Sequence, residues 1–272
     1  MIHNVMRPIM RYLGGKWRIA PWIIAHFPKH RTYIEPFGGG GSVLLRKSRA
    51  HCEIYNDLHG EVVNLFRVAR DHGDELRRLI SLTPYARDEF LLSYQVASDP
   101  VEQARRTVVR SYFGYGSDSV SRGWMSGFRH NTNQNRTVAS QDWASFPDAF
   151  SGIIERLRGV VIENRDAREV MIPHDRPDTL FYIDPPYLPA TRSRGGRYRH
   201  EMNEDDHIAL AEFLRGLTGM VVLSGYDSLL YSELYSDWPV EKKAARDGSG
   251  NRRIECIWIN PQAVMAVQGV FA

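Results

Sequence analysis

The arrangement in this chain best suited to chemistry is Asp184-Pro185-Pro186-Tyr187, which closes an apolar run that begins at Thr179. Proline has no N–H and a fixed φ, so it cannot continue a central strand. Pro185 also drives Asp184 toward extended backbone. The strand therefore stops at Asp184 and leaves its carboxylate at the carboxyl end, where open α/β sheets bind ligands. Two successive prolines stiffen the turn and aim the Pro185 carbonyl and the Tyr187 ring. The product is a rigid pair of acceptors beside an aromatic face. A plain strand-ending turn with a surface tyrosine is the bland alternative.

A second cluster is Gly38-Gly39-Gly40-Gly41-Ser42, set between an apolar run at 32–37 and the helix-opening Val43-Leu44-Leu45. Strand, glycine turn and helix in that order make a nucleotide-type cofactor site, because glycines let the backbone turn tightly and approach a ligand. Glu35 and Phe37 flank the turn, and Asp57 lies 19 residues beyond Gly38. An acid about 20 residues past the glycines binds ribose hydroxyls in such sites. Asp57 also precedes a helix, so a capping role is open to it. A third cluster, Arg11-Tyr12-Leu13-Gly14-Gly15-Lys16, pairs two glycines with a cation. It brings a positive charge to a close backbone approach, or it is only a turn.

The elements that must position these groups follow from periodicity. Residues 17–27 read as an amphipathic helix ended by Pro28, and 32–37 as a buried strand. A short strand over 53–57 leads into a helix over 59–72, continued at 75–82, with further helical stretches at 86–97 and 101–113. Strands return at 160–166, then before Asp184, then at 219–226, with a helix over 204–217 whose first turn carries acids. Stretches 240–246 and 252–259 form a hairpin around Asp247-Gly248-Ser249-Gly250-Asn251. This predicts an α/β fold with a mostly parallel sheet and one antiparallel strand.

Residues 75–150 differ in texture. From Arg105 to Arg136 there are six arginines and one acid, Asp118, interleaved with Tyr112, Phe113, Tyr115, Trp124 and Phe128. Cations, rings and polar loops together suit nucleic acid; a solvated, loop-rich insertion is the alternative. Arg105, Arg110, Arg122, Arg129 and Arg136 are the expected contacts here. Arg192, Arg194 and Arg197 are those of a second basic loop at 188–202. Arg105 and Arg106 are expected to hold phosphate or structure rather than bases.

The totals bound the reading. The chain has 272 residues, 43% hydrophobic and 25% charged, with a net charge of +3. These are ordinary values for a globular protein with a full core. Cys52 and Cys256 make no disulfide framework and lack metal-ligand spacing. No stretch reads as a signal segment or as long enough to span a bilayer. The expectation is a cytoplasmic monomer without metal or membrane contact.

Taken in order, Tyr-Leu-Gly-Gly-Lys at 12–16, Glu-Pro-Phe-Gly-Gly-Gly-Gly-Ser at 35–42, Tyr-Asn-Asp at 55–57 and Asp-Pro-Pro-Tyr at 184–187 resemble the Dam-type DNA adenine-N6 methyltransferases. The likeness runs from Arg11 to about Ile259. It implies a Rossmann-like methyltransferase sheet with an inserted, largely helical target-recognition domain. Residues 1–59 and 159–272 would form the catalytic domain and 60–158 the insertion. It implies S-adenosylmethionine as cofactor, contacted by Tyr12, Lys16, Asp57 and Asp184. Glu35, Phe37, Gly38 and Gly40 would line the pocket, and Asp166 would reach the cofactor adenine. Asp184, Pro185, Pro186 and Tyr187 become the catalytic turn and double-stranded DNA the partner. Tyr12 stands where the family often has tryptophan, and residues 114–146 depart from the family's target-reading pattern.

Physical chemistry agrees with the resemblance. An exocyclic aromatic amine is a poor nucleophile because its lone pair is delocalised. Asp184 and the Pro185 carbonyl can bind both N–H groups and aim the lone pair at a methyl sulfonium. Tyr187 offers a stacking face for a base taken out of the helix. Methylation of RNA adenine, of cytosine N4 or of protein glutamine uses related turns. A dinucleotide oxidoreductase would share the glycine turn but would leave Asp-Pro-Pro-Tyr unexplained. A non-catalytic DNA-binding module would leave all the reactive groups without use.

Overall fold

The computed structural model describes residues 5–122, 125–130, 138–192, 198–246 and 251–267. The chain opens with α1 (Ala20–Ile24), β1 (Thr32–Glu35), α2 (Ser42–Arg46) and β2 (Cys52–Asn56). Helices then follow one another: α3 (Gly60–Asp71), α4 (Gly73–Leu82), α5 (Arg87–Leu92), α6 (Pro100–Phe113), α7 (Ala139–Ala144) and α8 (Phe146–Leu157). The alternating pattern resumes with β3 (Val161–Glu163), α9 (Ala167–Met171), β4 (Thr179–Ile183), α10 (Glu204–Arg215), β5 (Met220–Tyr226) and α11 (Leu229–Leu234). The hairpin β6 (Val240–Arg246) and β7 (Arg252–Ile259) and the helix α12 (Pro261–Val267) complete it.

Among the described residues the strands form one sheet in the order β3-β2-β1-β4-β5-β7-β6. All neighbours are parallel except that β7 runs against both β5 and β6. The fold is therefore the expected mostly parallel sheet with one reversed strand. β1 pairs with β2 on one side and with β4 on the other. A switch point of this kind opens a crevice at the strands' carboxyl ends. The glycine turn after β1 and Asp184 after β4 both stand there.

Every residue of β4 is buried. Its alternate side chains feed two cores, Leu180 and Tyr182 on one face, Phe181 and Ile183 on the other, as a strand covered on both sides requires. Buried residues of α9, α10 and α11 join the second core. The long helical run from α3 to α8 packs on the first face, where Val62, Phe66, Val108, Phe150 and Ile154 share one continuous core with Tyr33 and Tyr55 of the sheet. The inserted helices thus extend the sheet's own core.

Some elements differ from the sequence reading. The helix expected over 17–27 is regular only at Ala20–Ile24; past it the backbone tightens to i→i−3 bonds at His26 and Phe27, and His26 Nδ1 donates to the Trp22 carbonyl at 2.8 Å. The stretch 86–97 is helical only at Arg87–Leu92. Helices α7 and α8 were not foreseen. Phe146, Phe150, Ile153 and Leu157 carry the helical spacing and are fully buried. None of the described helices is long and apolar enough to cross a membrane. The described residues contain no group of three or more His, Cys, Asp or Glu that could hold a metal ion.

Candidate active site

The glycine turn is built by close approach. Gly39 has φ +47, and a Cβ at Gly38 would overlap the Tyr55 ring. That ring stacks on Phe66 with centroids 4.0 Å apart, and its hydroxyl donates to the Gly39 carbonyl at 2.6 Å. Asp57, just past β2, ties the turn to the start of α3. Its carboxylate accepts from Gly39 N at 2.8 Å and from His59 N at 2.7 Å. The N-cap of α3 is His59, without a side-chain cap, so Asp57 braces the entry to the helix rather than capping it; each of its oxygens holds one backbone donor and keeps a second lone pair.

Lys16 brings the N-terminal motif to the catalytic turn. Its ammonium donates to the Gly14 carbonyl at 2.7 Å, lies 3.0 Å from Asp184 Oδ1 and sits 4.5 Å from the centre of the Tyr187 ring. Burial works to lower the lysine pKa, but Asp184 and Glu255 more than offset it and hold the ammonium above its ordinary value. Burial pushes the Asp184 carboxyl up, and Lys16 opposes that shift. The pair is a fixed ion pair at the mouth of the crevice.

One cavity of about 1350 Å³, mouth included, collects the predicted residues. Tyr12, Lys16, Glu35, Phe37, Gly38, Gly40, Asp57, Asp166 and Asp184 all line it, as does Pro186. Asp166 caps α9, accepting from Arg168 N at 2.9 Å. Pro185 and Tyr187 lie behind the wall. Tyr187 was expected to offer an open stacking face, but it is only 6% exposed. Lys16 covers its ring, the Tyr226 ring meets it edge-on at 4.7 Å, and its hydroxyl donates to Glu255 Oε2 at 2.9 Å.

The arginines divide. Arg105 was expected to hold phosphate or structure, and it holds structure: its guanidinium pairs with Glu89 and Glu102, both at 2.6 Å, and donates to the Thr83 hydroxyl at 3.0 Å. Arg110, expected as a DNA contact, is buried and pairs with Glu61, joining α6 to α3. Both cations are consumed in holding helices together. Arg122 pairs with Asp118 at 3.2 Å, Arg129 with Asp142 at 3.4 Å and Arg192 with Glu201 at 2.6 Å. Arg136, Arg194 and Arg197 lie outside the described residues.

Three residues of the site were missed in the sequence. Glu255 was a lone acid inside the apolar strand stretch 254–258, a signal that went unused. Tyr198 and His59 line the cavity. Burial, then Arg199, hold His59 down at about 4, so it is neutral near pH 7. No local pattern marked either one.

A profile of the family described as D12 class N6 adenine-specific DNA methyltransferase matches residues 12–247. This chain belongs to that family. It is similar to the Type II methyltransferase M.MjaIII of Methanocaldococcus jannaschii, at 27% identity over 92% of this chain and 93% of that protein. It is also similar to the DNA adenine methylase of Escherichia coli K12, at 25% identity over 84% of each chain. A third relative is the DNA adenine methylase of Haemophilus influenzae, at 23% over 85% and 83%. The crevice with Asp184 at its mouth is thus the candidate active site of an adenine-specific DNA methyltransferase, and the family favours DNA adenine over RNA, cytosine N4 and oxidoreductase chemistry.

Within this D12-class enzyme Glu35 makes a testable pH signature. Burial is the main cause that pushes its carboxyl up to about 8, against hydrogen bonds from the Tyr33 hydroxyl and Leu44 N, both 2.9 Å. The folded state then keeps a proton that the unfolded chain sheds near 4.5. Stability contributed by this group is full below that value and is lost as pH rises toward 8, by up to about 1.4 kcal/mol per pH unit. Glu35→Gln keeps an acceptor oxygen and removes the titration. Melting curves of the cofactor-free protein between pH 5 and 8 should show the variant gaining on the parent as pH rises. Parallel curves would refute the assignment.

Proposed function

We propose that the enzyme methylates the N6 amine of an adenine extruded from double-stranded DNA, using S-adenosylmethionine. The observation that carries this is the Lys16–Asp184 ion pair, 3.0 Å long, at the junction of the cavity and the Asp-Pro-Pro-Tyr turn. The cavity residues fit the cofactor: a glycine turn that a Cβ would fill, a half-buried carboxylate at Asp57, and aromatic walls at Tyr12 and Phe37. When bound, S-adenosylmethionine supplies an electrophilic methyl group on sulfur. Asp184, held 3.0 Å from the Lys16 ammonium, and the Pro185 carbonyl would accept the two N–H bonds of the amine and aim its lone pair. Transfer of that methyl would leave the cofactor as a neutral thioether, and the proton given up by the methylated nitrogen would pass to Asp184 or water. Tyr187 braces the turn through Glu255, and its ring packs beneath the Lys16 ammonium. The test is to incubate the protein with labelled cofactor and a mixture of duplex DNA and RNA, and then analyse the nucleosides of each. N6-methyladenine is expected; N4-methylcytosine, or label entering only RNA, would overturn the reading.

Residues 60–158 choose the sequence in this reading, and 1–59 with 159–272 do the chemistry. Support comes from the segment after α6, where Tyr115 and Met125 are well exposed beside the partly exposed Arg122 and Arg129. A base-reading arginine cut to alanine should cost about 1–3 kcal/mol and relax one position of the site. A randomised DNA library methylated by Arg122→Ala, Arg129→Ala and Arg136→Ala variants and then sequenced should show at least one such change. An unaltered site in all three would move recognition to the loop that carries Arg192.

A further inference from the structure

Beyond the cofactor cavity, a second groove opens at the carboxyl end of β5. Arg18, just before α1, and Arg246, Arg252 and Arg253 of the hairpin line it, with Tyr226 at its inner end. Its only acid is Asp227, which already holds Lys242 at 2.5 Å. Ala244, Ala245 and Ala190 add small side chains to the lining. Tyr226 meets the Tyr187 ring edge-on at 4.7 Å, so the groove begins one ring away from the catalytic turn.

The register of the hairpin carries the argument further. Arg246 stands directly opposite Arg252, and Ala245 opposite Arg253. Like charges facing across a ladder oppose pairing. A polyanion lying along the hairpin would meet cations on both strands. Arg18, Arg246 and Arg252 are exposed. Small residues in the lining leave room for a sugar–phosphate strand, and four arginines in one groove suit a polyanion.

From this geometry we infer that the β6–β7 groove grips the phosphate backbone of the DNA duplex beside the target nucleotide, as a second DNA contact separate from the inserted helices. The inference rests on the reading of duplex DNA as substrate. Phosphate contacts hold register without reading sequence, so the groove sets affinity and the insertion sets the site.

The experiment is a salt titration of duplex binding by the full-length protein and by a triple variant, Arg246→Ala, Arg252→Ala and Arg253→Ala. Each phosphate contact contributes roughly 0.9 to the slope of log K against log salt. The variant should lose about two to three units of slope and bind at least about 10-fold more weakly at low salt. Its S-adenosylmethionine affinity, its turnover at saturating DNA and its methylated sequence should stay as in the parent. Its melting curve confirms that it is folded. A companion triple lysine variant keeps the charges and should restore the slope. Inorganic phosphate should compete only weakly, since a single phosphate cannot span the groove; competition by phosphate alone as strong as by DNA would assign the site to a free anion and overturn the proposal. An unchanged slope in the folded alanine variant would also overturn it. If the parent itself neither binds nor methylates duplex DNA, the substrate reading fails instead, which separates the two outcomes.

Discussion

Replacing Asp184 by alanine is expected to lower turnover by at least about 100-fold at saturating DNA and cofactor. One preorganised hydrogen-bonding group at a reacting centre typically contributes about 10²–10³ in rate. Asp184 is such a group by construction. The strand end fixes its backbone, Pro185 follows it, and Lys16 holds its carboxylate at 3.0 Å. The alanine variant also strands the buried Lys16 ammonium, and breaking a buried ion pair from one side costs stability. Melting curves must therefore accompany the kinetics. Asp184→Asn separates the effects: it keeps one acceptor oxygen near Lys16 but removes the charge, so it should fold better than the alanine variant and lose less activity. Cofactor and DNA affinities measured on both variants show whether the loss lies in kcat. A folded Asp184→Ala protein with near-parental turnover would remove Asp184 from the chemistry.

The parts of this site that were legible in the sequence are those whose cause is local. Pro185 and Pro186 end β4 wherever the rest of the chain goes, and the glycines after β1 need the space that Tyr55 leaves them. Asp57 was found by its distance from Gly38, and that spacing reflects one strand–helix–strand unit. What stayed hidden depends on partners distant in the chain. Nothing near Arg110 announces Glu61, which lies 49 residues away, or that Arg105 is held partly by Glu89 of another helix. Composition correctly showed a basic helix, but packing turned its inner arginines into struts between helices. Glu255 is the converse case. It reaches Tyr187 across 68 residues because β7 enters the sheet beside β5, a topological fact that the hairpin pattern alone does not fix. Helix α8 was legible and went unread: its apolar spacing is regular, but Gly/Ser/Asn-rich sequence just before it masked the change of period.

Asp57→Ala is expected to weaken S-adenosylmethionine binding by about 100-fold while leaving the affinity of the cofactor-free protein for DNA little changed. Two losses add. A carboxylate hydrogen bond to a ribose hydroxyl contributes about 1.5–3 kcal/mol, and about 1.4 kcal/mol is tenfold in affinity. The second loss falls on the turn itself. Gly39 N and His59 N both donate to Asp57, and without it two backbone donors lose their acceptor. Gly39, at φ +47, would then hold its conformation with only the Tyr55 hydroxyl on its carbonyl. Asp57→Asn distinguishes the two losses. Its amide oxygen can still accept from one of these donors, but it carries no charge for the ribose, so cofactor affinity should fall while the melting temperature falls less than in the alanine variant. Calorimetric titration of both variants with S-adenosylmethionine, beside their melting curves, reads the two contributions apart. Unchanged cofactor affinity in Asp57→Ala would confine this residue to bracing the glycine turn and the start of α3, and the ribose would have to be held elsewhere in the cavity, where Glu35, Asp166 and Asp184 are the other carboxyl groups among the predicted contacts.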